Sequence, residues 1–306
     1  MSRTGKIGRE CCLEQTVELP GHLKQVHDVE SFTVGVIENI QRLSPSVPTT
    51  NDNITSASSS VSNSISQLYR VTIGYPNAVT GHELPQLLNV VFGNSSLKRG
   101  ISVANVTLSP ELENDRTLFP GPKFGIDGIR KILNVPKAPL LMTALKPLGK
   151  SSQDFADMAY ALAKGGLDII KDDHGLSNQS AFSPFEERVR LCADAVARAT
   201  AETGKKCLYA PCLNAPIKQL FDRANYAQKA GCGAVMVLPG LCGWDVVREL
   251  ASSDEFNLPI LIHPALLDDI NVGDVDTNHP HGFSHEFLFG KLPRICGGDA
   301  VIFPST

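Results

Sequence analysis

No apolar run in this 306-residue chain reaches the roughly 18–20 residues that a membrane-spanning helix needs. The opening stretch, MSRTGKIGRECCLEQ, has no apolar core behind its basic residues, so no secretory leader is expected. Positive charge is not in excess either. Lys and Arg number 28 against 32 Asp and Glu, and the formal net charge is −4. That excludes a general binder of nucleic-acid backbones. The eight cysteines form no CxxC pair, which removes the usual signal for a structural zinc site or a redox couple. They are expected as buried free thiols. No GxGxxG or GxxxxGK[ST] loop follows any apolar run, so a nucleotide-binding fold is disfavoured. A cytoplasmic protein with neither a membrane nor a nucleic-acid partner is expected.

With 42% hydrophobic and 20% charged residues, the composition is that of an ordinary packed protein. One segment departs from it. In residues 44–66, 12 of 23 are Ser or Thr, and Asp52 is the sole charge. So little apolar surface cannot offset ordering entropy, so a flexible insertion is expected there. Around it, residues 1–43 and 67–136 read as an α+β domain. Tyr69, Val71, Ile73 and Tyr75 alternate with polar or small residues up to Pro76, the pattern of a strand. Leu87–Gly93 (LLNVVFG) and Ile101–Leu108 (ISVANVTL) read as two further β-rich runs.

Residues 137–306 change character. Six short apolar runs recur, beginning near Ala138, Leu167, Cys207, Ala234, Leu258 and Ala300. Amphipathic helical patterns lie between them. Phe155, Met158 and Leu162 share a helix face that Gly165-Gly166 ends. Ser183-Pro184-Phe185-Glu186 reads as a capping box ahead of Val189, Cys192 and Val196, and Gly204 closes that helix. Apolar strands alternating with helices mean a parallel sheet covered by helices.

Polar residues mark the C-terminal ends of several runs: Lys146, then Lys171-Asp172-Asp173-His174, then Asn214, then His263. Both a (β/α)₈ barrel and an open doubly wound sheet gather their sites at that edge. KDDH concentrates hard oxygen ligands of the kind Mg²⁺ prefers, although a solvated loop with a helix-capping aspartate fits the spacing equally. Alternation points Lys171 and Asp173 one way and Asp172 the other. Lys146 sits among Leu145, Pro147 and Leu148, where partial desolvation would suit acid–base work. His263, within LIHPAL, reads either as a core histidine or as a site residue.

Taken together, TALKPLG, GGLDIIKDDHG, AFSPFEERV, AETGK, LIHPAL and GGDAVIF resemble the large subunit of ribulose bisphosphate carboxylase/oxygenase, RuBisCO. YRVTIGYP and LPQLLNVVFGNSSLKRGI resemble its N-terminal domain, and LEQTVELP is a weaker trace. The resemblance implies an α/β fold, an N-terminal α+β domain followed by a (β/α)₈ TIM barrel, here truncated after strand six. It also implies a homodimer with shared sites. By resemblance Lys171 is carbamylated by CO₂ to become a Mg²⁺ ligand, Asp173 is the second ligand, and His174 stands where the third, a glutamate, is usual. Lys146 matches a proton-relaying lysine, His263 an active-site histidine, and Asn94 an asparagine inserted from the partner. Asn214 at the third strand end is a further candidate for substrate contact.

Three departures separate the chain from the family's carboxylases. Lys146-Pro147-Leu148-Gly149 replaces KPKLG, Pro264 replaces a phosphate-gripping arginine, and Ile302 replaces a histidine. Without the arginine fork, a bidentate phosphate contact is lost. The pattern resembles the RuBisCO-like proteins of form IV, with KDDHGL, LPQLLNVVFGN and VIFP nearest to the group acting on phosphorylated oxo-sugar acids such as 3-oxo-isoapionate 4-phosphate. The implied chemistry is Mg²⁺-dependent enolisation or decarboxylation of a phosphorylated keto-sugar acid, without CO₂ fixation. Histidine supplies a softer ligand than glutamate, so His174 is expected either to hold a different metal or to act as an acid–base or substrate contact. Two alternatives are an inactive remnant, because the chain stops as strand six ends, and a true carboxylase.

Overall fold

The computed structural model describes residues 8, 11–12, 33–43, 68–98, 100–272 and 282–303. The Ser/Thr-rich segment 44–66 and the LEQTVELP trace lie outside them. The chain divides into two compact units, Met1–Val103 with Val272–Gly282, and Ala104–Asn271 with Phe283–Thr306. None of the helices among the described residues is long and apolar enough to cross a membrane.

In the first unit, β1 (Val36–Arg42) pairs antiparallel with β2 (Tyr69–Gly74), the strand expected from the alternation ahead of Pro76. The run expected as a strand from Leu87 is instead part of α1 (Leu84–Phe92). Leu84, Leu87 and Val90 recur every three residues and are all buried. A proline in the first turn suits a helix start, and the paired valines that suggested a strand are overridden by packing. Of Ile101–Leu108, only Ser102–Val103 is extended.

All six apolar runs of the second unit become parallel strands: β3 (Met142–Leu145), β4 (Ile169–Asp172), β5 (Leu208–Ala210), β6 (Val235–Val237), β7 (Ile260–Ile262) and β8 (Ala300–Val301). They lie in sequence order as two three-stranded sheets, β3-β4-β5 and β6-β7-β8. A single parallel bridge, Cys212 to Met236, joins the two. The chain between strands folds as α2 (Ser152–Lys164), α3 (Phe185–Thr203), α4 (Ile217–Lys229) and α5 (Trp244–Ser252).

Alternation sorts each strand into two faces. Ile169, Leu208, Ala210, Ala234, Met236 and Leu261 meet in one buried cluster, closed by Ile129 and Leu133 from the helix Gly125–Leu133. Ile170 and Tyr209 point the other way and are also buried. Helix ends follow local chemistry. Ser151 and Asp154 form a reciprocal capping box at the start of α2. The box expected at Ser183 does not form: no side chain caps α3 from its N-cap, Pro184, and Asn178 Oδ1 accepts from Phe185 N–H instead. Gly204 ends α3 in the left-handed region at φ 71°, which glycine adopts without steric strain.

Candidate active site

Register decides which side chains meet. Ala144 pairs with Lys171 and Lys171 with Ala210, so the three share the inner face. Leu145 pairs with Asp172, and one step further along, Lys146 comes beside Asp173. Lys146 Nζ lies 3.2 Å from Asp173 Oδ1. From the other half, His263 follows β7 and its N–H donates to Val237 O. Its ring stacks on that of His174, with centroids 4.7 Å apart and planes 25° from parallel. His174 Nδ1 is 3.5 Å from Asp173 Oδ1. The structure thus gathers Lys146, Lys171, Asp173, His174 and His263 at the C-terminal ends of β3, β4 and β7.

Asn214 stands after β5, where its backbone carbonyl accepts from Ser177 Oγ and Arg223 Nη1. Asn94 belongs to the first unit, at the start of a short 3₁₀ turn whose Leu97 N–H it accepts through its carbonyl. One expectation is corrected outright. Lys146 is not desolvated: its side chain is 64% exposed, and its neighbour Leu148 is itself about half exposed.

Electrostatics separate the two lysines. Lys171 is 7% exposed, and burial lowers its pKa while Asp173 pulls the other way. Among the described residues its Nζ donates one hydrogen bond, to Asp172 O. Burial opposes ionisation of Asp173, but the Lys146 hydrogen bond and the charges of His174, Lys146 and Lys171 hold its carboxyl below the ordinary range. Burial, reinforced by the positive charge of Lys171, pushes His263 down to about 4, so the imidazole is neutral at pH 7.

Among the described residues no three His, Cys, Asp or Glu side chains converge as metal ligands. A divalent ion would gain a third ligand beside Asp173 and His174 if Lys171 contributed oxygens. A buried amine is suited to that, since CO₂ reacts with the neutral form. A carbamate beside Asp173 would offer hard oxygens of the type Mg²⁺ requires. His174, 50% exposed and stacked on His263, is the third candidate.

Sequence reasoning missed Arg188, Tyr209 and Arg223. Arg188 is wholly buried and pairs with Asp172 Oδ2 at 3.2 Å, while Tyr209 donates its hydroxyl to Asp172 Oδ1 at 2.8 Å. The signal for Arg188 was present. It lies on the same stripe of α3 as Phe185, Val189 and Cys192, and an arginine on a buried stripe demands an anionic partner.

The fold has known relatives. Residues 125–304 match the ribulose bisphosphate carboxylase large chain, catalytic domain. The 2,3-diketo-5-methylthiopentyl-1-phosphate enolase of Bacillus licheniformis is 37% identical over 237 residues, which is 77% of this chain and 56% of that protein. The ribulose bisphosphate carboxylase-like protein 1 of Rhodopseudomonas palustris is 36% identical over 236 residues, 77% of this chain and 60% of that protein. The chain thus spans little more than half the length of the curated relatives it matches. Among solved structures, a Rubisco-like protein from Rhodopseudomonas palustris aligns with a TM-score of 0.77 at 31% identity, covering 99% of this chain and 74% of that one. The rubisco-like protein (MtnW) of Alicyclobacillus acidocaldarius gives 0.80 at 26% identity, covering 100% and 71%. The chain belongs to the ribulose bisphosphate carboxylase large-chain family, and its relatives within it are RuBisCO-like proteins of the form IV type.

Proposed function

We propose that this chain carries an enolising site for a small phosphorylated ketone or diketone and does not fix CO₂. The observation that carries the reading is the meeting of Lys146 with Asp173 beside the buried Lys171. Lys146 is an exposed amine one strand away from the candidate ligands, free to hand a proton to or from a substrate carbon. Asp173 holds that ammonium in place. His263 is neutral and half-buried, and its Nδ1 accepts from Ala265 N–H, so its Nε2 carries the proton and is suited to donate a hydrogen bond to a substrate oxygen. Lys171 as its carbamate, Asp173 and His174 would hold Mg²⁺, which when bound stabilises negative charge on a substrate oxygen next to the carbon that ionises.

The relatives named as 2,3-diketo-5-methylthiopentyl-1-phosphate enolases support enolisation by proton removal. The KDDHGL and VIFP segments support the second branch, in which an oxo-sugar acid phosphate loses CO₂ and Lys146 protonates the resulting carbanion. Both branches share one site and differ only in the bond that breaks. Pro264 and Ile302, in place of phosphate-binding side chains, support the exclusion of bisphosphate carboxylation.

A second copy completes the reading. Leu148, Leu241 and Leu266, on the segments that follow β3, β6 and β7, are exposed. Exposed apolar groups at the same end of three strands favour a homodimer, with Asn94 reaching substrate from the partner.

The test begins with the melting temperature of the chain with and without Mg²⁺ and bicarbonate. At about 100 times the dissociation constant the pair should add about 2.7 kcal/mol, read as a cooperative transition several degrees higher. Lys171→Ala should abolish that rise. Turnover is then followed with a diketone phosphate and with an oxo-sugar acid phosphate. A wild-type melt indifferent to both additives, with no turnover of either substrate, rejects the enzyme in favour of a non-catalytic remnant.

A further inference from the structure

The guanidinium of Arg188 is fully enclosed, and all five of its N–H groups are engaged. Nε and Nη2 donate to Asp172 Oδ2 at 3.3 and 3.2 Å, and Nη2 also donates to Ser177 O at 2.6 Å. Nη1 donates to Ser183 O at 2.9 Å and to Ser183 Oγ at 3.4 Å. These acceptors lie at three places along one loop. Asp172 is where β4 ends, Ser177 is midway, and Ser183 stands just before α3. One side chain on α3 therefore clasps the start, middle and end of the loop that carries Asp173 and His174.

Asp172 is saturated in turn. Oδ1 accepts from the Tyr209 hydroxyl, and Oδ2 also accepts from Cys212 N–H at 3.2 Å. Tyr209 belongs to the neighbouring strand β5, and Cys212 lies two residues past its end. Because successive side chains alternate between faces, a carboxylate fixed toward the helices fixes its two sequence neighbours toward the inside. Those neighbours are Lys171 and Asp173.

We propose that Arg188 is the positioning residue of this site, holding Asp172 outward and the following loop closed so that Lys171, Asp173 and His174 converge on one point. The inference deepens the function proposed above and rests on its assignment of the 171–174 segment. Neither Arg188 nor Asp172 touches substrate in this arrangement. Lysine keeps the charge but concentrates its donors on one nitrogen, so it cannot reach three places at once.

Arg188→Lys in the full chain tests this in two ways. Hydrogen–deuterium exchange is measured without added ligand. Peptides covering 173–183 should exchange about 10-fold faster, while those of α2 and α4 stay within about two-fold of wild type. Separately, with ¹³C-bicarbonate and Mg²⁺, the carbamate carbon resonance that Lys171→Ala removes should fall several-fold in Arg188→Lys. A merely structural arginine would loosen the whole unit evenly and leave the remaining folded fraction with a full carbamate signal, and that result overturns the proposal. Should Arg188→Lys fail to fold, Tyr209→Phe removes one bond to Asp172 without stranding a charge. It should raise exchange in 173–183 by about three-fold, and an unchanged loop there overturns the proposal. Absence of the carbamate in wild type rejects the functional reading alone, because the exchange measurement decides positioning without it.

Discussion

Lys146 Nζ and Asp173 Oδ1, 3.2 Å apart, tie the end of β3 to the end of β4 across the opening of the candidate site. The Lys146 side chain is largely in solvent, so the pair adds little stability. Lys146→Met should therefore leave the urea midpoint within about 0.5 kcal/mol of wild type. Its effect on proton transfer should be far larger, a loss of about 10²–10⁴ in the exchange of substrate carbon-bound hydrogen with D₂O. Equal losses in stability and in rate would make Lys146 a structural residue.

Asp299 is buried and accepts three backbone N–H groups, from Phe124, Gly125 and Ile260. The first two start the helix Gly125–Leu133 that closes the core cluster, and the third belongs to β7. Asp299→Ala leaves all three donors without their acceptor. Denaturant unfolding should show a loss of about 3–5 kcal/mol. Asp299→Asn keeps one acceptor oxygen and should lose roughly half as much, and equal losses would argue against the hydrogen bonds as the cause.

The exposed leucines give the proposed homodimer its own measurement. Leu266 is 55% exposed and its backbone sits at φ 63°, an uncommon region for a non-glycine residue. Leu148→Glu together with Leu266→Glu should shift sedimentation from dimer to monomer while the far-UV circular dichroism is unchanged. A wild-type chain that sediments as a monomer at all concentrations would remove the shared-site reading.

Much of the sheet was legible because β5, β6 and β7 are continuous apolar runs, which occur where both faces are covered. KDDH was legible as chemistry because four polar residues follow an apolar strand without interruption. Two kinds of information were not. Leu84–Phe92 carries the same valines that a strand would, and only burial at every third residue shows its helix. Exposure of Lys146 depends on how the chain packs past the end of β3, which no local pattern encodes. Arg188 lay in plain view as a cation on an apolar stripe, yet its partner sits 16 residues away on another element. Pairing of that kind becomes visible once strand alternation is carried through to what the outward-facing Asp172 must meet.

Pro211 has no N–H, and it falls where the third strand would otherwise continue its ladder. β5 stops at Ala210, and the two sheets are joined by the Cys212–Met236 bridge and by four backbone hydrogen bonds, from Gly233 and Ala234 N–H to Tyr209 O, from Met236 N–H to Pro211 O and from Leu213 N–H to Met236 O. This line is a seam between two halves, one carrying the lysines and aspartates and the other carrying His263. Breathing along it would part the stacked imidazoles of His174 and His263 before any strand within either half came loose. The amides of Leu213 and Met236 should accordingly exchange ahead of those of Ile170 and Leu261. The line between the two halves therefore runs beside the place where the fold must assemble its chemistry.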